Sequence, residues 1–233
     1  MMVFPFIAAA ISMVASVVAA VTPVIAAIGP AVATFCTTVL PKVVPVLIGG
    51  LEKLSTFVSV VQAVLQIMQI FRPDDKLNDI GDRAIQAARQ DIKPENFDSF
   101  EAYMEEIRAF ELDPAESGKI TDTEKFAAGL AVGAQGLDEK FNVREGTMAN
   151  LWPLVVKNPE YFSSERLTAL LSSTTDVISL LKYFEGNLAP AAAAETEGRI
   201  VAAEKAMAPE KTEAAIHSEL DSAIEHFKKP DSV

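Results

Sequence analysis

The sequence predicts an all-α fold: a hydrophobic, Ala-rich helical hairpin and an amphipathic helix packed with an acidic multi-helix domain. Three observations lead there. Apolar residues recur at helical spacing, no run alternates convincingly as a strand would, and Lys42 is the first charged side chain in the chain. Residues 1–71 hold only Lys42, Glu52 and Lys53 as ionisable side chains, a net +1 against −12 for the whole chain, which leaves −13 for the rest. The composition therefore changes at Arg72. This divides the chain into a hydrophobic, membrane-insertable region (1–71), an acidic soluble helical domain (72–188), and an Ala/Glu-rich linker with a C-terminal amphipathic helix (189–233).

The first arm, Val3 to Ile28, exceeds the ~20 apolar residues that a bilayer-spanning helix needs. Gly29-Pro30 punctuates it, and a second apolar arm, Ala31 to Ile48, contains Pro41 and Pro45 with Lys42 between them. Each proline removes a backbone donor, so this arm is expected to kink. Within the first arm Ala8, Ser12, Ser16 and Ala20 fall four apart, a spacing that lets a second helix approach closely. An alanine-rich stretch also produces such spacing by chance. Met1 to Phe6 contain no Lys or Arg and the apolar run outlasts a signal core, so it is expected to belong to the mature protein, although Ala31-Val32-Ala33 could imitate a cleavage site. Cys36 lies alone in the run and reads as a small buried hydrophobe.

After Gly49-Gly50, Leu51 to Phe71 reads as an amphipathic helix. Ser55, Ser59, Gln62, Gln66 and Gln69 fall within an arc of about 80° on it. A stripe of uncharged polar groups can line an ion path or hydrogen-bond to other helices; the plain alternative is a core helix with a polar edge.

Beyond Arg72 the patterns are those of a soluble helical protein. Leu77, Ile80, Ala84, Ile85, Ala88 and Ile92 form one helix face ending before Pro94. Phe100, Tyr103, Met104, Ile107 and Phe110 form the next, starting near Ser99 with Glu101, Glu105 and Glu106 outward. Thr121-Asp122-Thr123-Glu124 is a capping box opening a helix through Phe126, Leu130 and Leu137. Shorter helices are expected in "SSERLTALLSS" and "TTDVISLLKYFEGN", the latter capped by Gly186. "APAAAAETEG" reads as a linker, and Pro209 as the start of a helix whose Ile216, Leu220, Ile224 and Phe227 form a narrow apolar stripe in need of a partner.

Candidate chemistry is sparse. Asp113 to Glu124 has the length of an EF-hand loop, with Asp113 first, Ser117 fifth, Gly118 sixth and Glu124 twelfth. Ala115 stands where the pattern wants an oxygen ligand and Pro114 stiffens the loop, so the alternative is a helix-to-helix turn. His217 and His226 are nine apart, roughly opposite on one helix. No nucleophile elbow, phosphate loop, HExxH or CxxC is present, so neither an enzyme nor a cofactor protein is expected. An acidic body without Lys/Arg stripes also argues against nucleic acid.

The uncharged hairpin broken at Gly29-Pro30 is similar in kind to that of pore-forming colicins, without their translocation and receptor domains. In size, apolar N-terminal half and acidic helical remainder, the chain resembles the small pore-forming effectors of bacterial type VI secretion systems. The layout carries that resemblance, with no diagnostic motif and no functional residue transferred. It implies storage in the bacterial cytoplasm, export bound to the secretion-tube protein Hcp, depolarisation of a target cell's inner membrane by an ion-selective pore, and neutralisation by an immunity protein; a homo-oligomer on insertion is one further possibility. The physical logic is a bistable element, buried in water and spread in lipid. The competing expectations are a membrane-anchored adaptor that docks a partner on its acidic helices, and a phage ejection protein.

Overall fold

The computed structural model describes residues 4–49, 51–174 and 176–228, with side chains at 14–30, 32–45, 54–174 and 176–227. The fold is all-α, with no strand among the described residues. The first arm is α1 (Phe4–Ile25), which runs through Pro23 and tightens into a 3-10 turn at Ala26–Ile28. Gly29 then turns the chain into α2 (Pro30–Thr38), with Pro30 at the first helical position, where its missing N–H costs nothing. The second arm is broken: α3 (Leu40–Gly49) starts anew after Val39. Pro41 cannot donate to Thr37, and Lys42 N–H turns instead to the Val39 carbonyl at 2.9 Å. Then follow α4 (Leu51–Ile67), α5 (Leu77–Ala88), α6 (Phe100–Ala109), α7 (Pro114–Ser117), α8 (Asp122–Lys140), α9 (Leu151–Lys157), α10 (Ser164–Ser173), α11 (Val177–Phe184), α12 (Pro190–Met207) and α13 (Glu213–Lys228).

Two compact units emerge: Met1–Leu54 with Gln69–Ala149, and Ser55–Met68 with Asn150–Ser232. They cut across the compositional division at Arg72, because α4 groups with the C-terminal helices rather than with the hairpin.

In the first unit α8 is the axis. Its residues 126–134 are all buried and uncharged, so it is apolar on every side, as a central helix must be. α5 lies closest: a Cβ on Gly129 would stand 2.1 Å from the Leu77 carbonyl oxygen, and one on Gly81 would stand 1.8 Å from that of Lys125. Only glycine on both helices permits this approach. α1, α2 and α6 also pack on α8, and α3 packs on α1 and α2. Thr121 and Glu124 close the capping box at the start of α8. Arg108 pins the corner before α5, its Nη2 3.0 Å from the buried Asp75, which also accepts the Arg72 N–H at 2.7 Å.

In the second unit α12 contacts α10, α11 and α13. Arg166 clasps them: its Nε is 2.6 Å from the buried Glu204, its Nη2 2.8 Å from Glu219, and its guanidinium 4.3 Å from the centre of the Tyr161 ring. Tyr161, Phe162 and Phe184 pack edge to face nearby. The stretch read as a linker from Ala189 is the helix α12, because four consecutive alanines after Pro190 favour a helix and Thr196, Ile200, Ala203 and Glu204 line one buried face. The last helix starts later than Pro209, after Thr212, whose hydroxyl accepts the Ala215 N–H. Of its stripe Ile216 and Leu220 are buried within the chain, together with Ala223, while Ile224 and Phe227 are half-buried.

Candidate membrane-active region

The apolar helices bury their large side chains and expose their small ones. In α1, Val21 and Ile25 are buried while Ala15, Ser16, Ala19, Ala20 and Pro23 are exposed. α2 buries Val32, Phe35 and Cys36 and exposes Ala33, Thr34, Thr37 and Thr38; α3 buries Leu40, Val43 and Val44 and exposes Lys42. An alanine, serine or threonine side chain presents little apolar area to water, which keeps the exposure of so hydrophobic a segment cheap. On α1 and α2 the described exposed face holds no charge that lipid would have to reject; on α3 Lys42 is exposed.

The threonine hydroxyls of α2 are satisfied within the helix. Thr34 Oγ1 donates to the Pro30 carbonyl at 3.4 Å, Thr37 to Thr34 at 3.1 Å, and Thr38 to Thr34 at 2.8 Å. A hydroxyl bonded to its own helix keeps that bond whether water or hydrocarbon surrounds it.

The four-residue small series does not serve as a packing face where it is described. Ser16 and Ala20 face outward, and Val21 and Ile25, one turn round the helix, make the buried contact. The side chains of Ala8 and Ser12 lie outside the described residues. Gly29 and Pro30 form the expected turn, and a Cβ on Gly29 would meet Glu95 Oε2 at 3.0 Å. Among the described residues no helix is long and apolar enough to cross a membrane. α1 itself has 22 residues, and its side chains are described only from Val14 onward.

The Ser/Gln stripe is shorter than its sequence pattern. Ser55 and Ser59 are exposed on α4, Gln62 and Gln66 are half-buried, and Phe57, Val60, Val61, Val64 and Leu65 form the buried side. Ser59 Oγ donates to the Ser55 carbonyl at 2.8 Å. Gln69 does not continue the stripe: α4 ends at Ile67, and Gln69 takes a left-handed backbone with φ 59° that turns the chain away.

The candidate cation loop is not assembled. Asp113 caps α7 by accepting the Ala115 N–H at 2.8 Å, Ser117 bonds to Asp82, and Glu124 accepts both the N–H and hydroxyl of Thr121 at 2.6 and 2.7 Å. Each of the three side chains is engaged in a local cap or contact. No group of three or more His, Cys, Asp or Glu side chains that could hold a metal occurs among the described residues. His217 pairs with Glu197 at 2.8 Å.

Two features escaped the sequence reading. The helix α9 was not anticipated, since Pro153 interrupts its apolar pattern although a proline in a first turn is tolerated. The central place of α8 was visible as "FAAGLAVGAQGL", residues 126–137 without one charge. At its end Asp138 is buried and accepts the N–H groups of Gly146 and Met148 at 2.6 and 2.7 Å. Burial pushes this carboxyl up to about 6; the bonds from Met148 and Gly146 oppose the rise and the charge of Glu145 adds to it.

No protein-family model matches the sequence, and no curated protein or solved structure matches it either.

Proposed function

We propose that the chain is a pore-forming antibacterial effector that inserts its N-terminal apolar helices into a target bacterial inner membrane and dissipates ion gradients. One observation carries the reading: α1 and α2 meet water through an uncharged Ala/Ser/Thr face on which Thr34, Thr37 and Thr38 bond to their own helix, while Val21, Ile25, Val32 and Phe35 are buried and both helices pack on α8. Turning such a segment from the protein to the bilayer exchanges one apolar surround for another. The balance between the two states is then small enough for lipid to tip it.

In this reading α1 leads insertion, and the broken arm of α2 and α3 follows. The Ser55–Gln66 stripe of α4 is the candidate lining, because polar groups that cannot ionise suit a water-filled path without trapping an ion. Following the resemblance in layout, delivery goes through the Hcp tube of a type VI secretion system, and an immunity protein protects the producer. A non-enzymatic, membrane-anchored adaptor is the second reading, favoured by the exposed Glu101, Glu105 and Glu106 of α6 as a docking face.

The test is expression of the chain with and without direction to the periplasm, with a potential-sensitive dye. Collapse of membrane potential only in the directed form supports the pore. Normal growth with the potential intact sinks it, and constitutive membrane association without depolarisation favours the adaptor.

A further inference from the structure

We propose that the connection between α8 and α9 is a latch on the second arm of the apolar hairpin, with Asp138 as its catch. The inference rests on the pore-forming reading and names the contact that holds the arm back.

Asp138 sits in the last turn of α8 and is almost fully buried, at 3 % exposure. After α8 the chain turns through Asn142 at φ 48°, and the Val143 N–H bonds back to the Asp138 carbonyl at 3.0 Å. The two carboxylate oxygens then take the N–H groups of Gly146 and Met148. Both donors belong to buried residues, so water cannot readily replace the carboxylate if it is lost.

The loop held this way rests on α2. Gly146 has φ 79°, and a Cβ there would stand 3.1 Å from Thr34 Cγ2 and 3.4 Å from Thr34 Cβ. Glycine is required twice over, for its left-handed backbone and for the close approach. Thr34 turns its hydroxyl to the Pro30 carbonyl and meets the loop with its methyl group. α2 also packs on α8. α2 is therefore held by the axis helix and by the loop that follows it, and in this proposal it leaves α8 only when Gly146 lifts. Gly146 lifts only when Asp138 lets go.

The experiment uses the full chain. Amide hydrogen exchange and dye release from phosphatidylethanolamine/phosphatidylglycerol vesicles are compared for wild type, Asp138→Asn and Asp176→Asn. The last is a control that weakens a cap in the other unit, where Asp176 accepts the Ser179 N–H. In Asp138→Asn one carboxylate oxygen becomes a donor facing a donor. Exchange at Gly146, Met148 and through Val32–Thr38 is expected to rise about tenfold or more, with faster dye release, and neither change is expected in the control. Should Asp138→Asn lose its helical circular dichroism, Thr34→Ser, which trims only the methyl against the loop, is expected to move both readouts the same way by less. Loosening of Gly146 and Met148 with α2 exchange unchanged would overturn the latch. So would loosened α2 with wild-type release. If wild type itself releases no dye, the pore reading fails, and the exchange of α2 alone decides whether the loop holds it.

Discussion

Ala15 is the position where water and lipid make opposite demands on the same residue. It lies near the middle of the 22-residue α1 and is exposed. Replacing it by Lys leaves the folded state nearly unchanged, since an exposed substitution away from special contacts shifts stability by about 0.5 kcal/mol or less. Placed near the centre of an inserted helix, the same Lys costs about 2.5–3.5 kcal/mol. At about 1.4 kcal/mol per factor of ten, insertion should fall roughly 70- to 400-fold. The assay is the initial rate of dye release from vesicles as a function of protein concentration, read beside the urea midpoint of the protein free of lipid. An unmoved midpoint and a release curve displaced by about two orders of magnitude are expected. An unmoved release curve would refute it, because α1 would not then enter the hydrocarbon. A midpoint that falls as far as the release would refute the exposure of the Ala face.

Three further outcomes follow from the packing. Gly129→Ala places a methyl 2.1 Å from the Leu77 carbonyl oxygen. α5 and α8 must separate, and overpacking should lower unfolding stability by about 2 kcal/mol despite a helix-propensity gain of up to about 1 kcal/mol; equal or greater stability in urea would contradict the crossing. Asp138, raised from 3.8 to about 6, binds a proton in the folded state that the unfolded chain has already lost between those values. Its contribution is fully present below about pH 4 and is lost as pH rises through 6, by about 3 kcal/mol, so the stability difference between wild type and Asp138→Asn should change in that window and be flat outside it. Gln62→Leu with Gln66→Leu should lower unitary conductance with the folded state retained; unchanged conductance would remove α4 from the pore wall.

Where local chemistry decides, the sequence was informative. Gly29-Pro30 forms its turn, Ser99 caps α6 by accepting the Ala102 N–H, and the Thr121–Glu124 box closes at α8. Each of these signals acts within four residues, so no tertiary knowledge is needed. Gln69 was misplaced because its spacing suits a helix while its backbone turns left-handed, an outcome set by where Met68, Ile70 and Phe71 bury. α12 was read as a linker because alanine supports a helix and a loose chain alike; Ile200 is its one bulky aliphatic residue on the buried face. In the candidate cation loop, Asp113 and Glu124 stand twelve positions apart inclusive along the chain, and each is engaged at a helix start, of α7 and α8. The latch at Asp138 was invisible for a different reason. It depends on Gly146 meeting Thr34, residues more than a hundred apart that no local pattern connects.

The central claim is that this chain passes from water into a bilayer and conducts. Current across a planar phospholipid bilayer after addition of the purified, detergent-free protein tests it most directly. Discrete, voltage-responsive current steps are expected, abolished at the same protein concentration by Ala15→Lys. A silent bilayer from folded, monomeric protein would contradict it and leave the hairpin as a core element of a non-conducting adaptor.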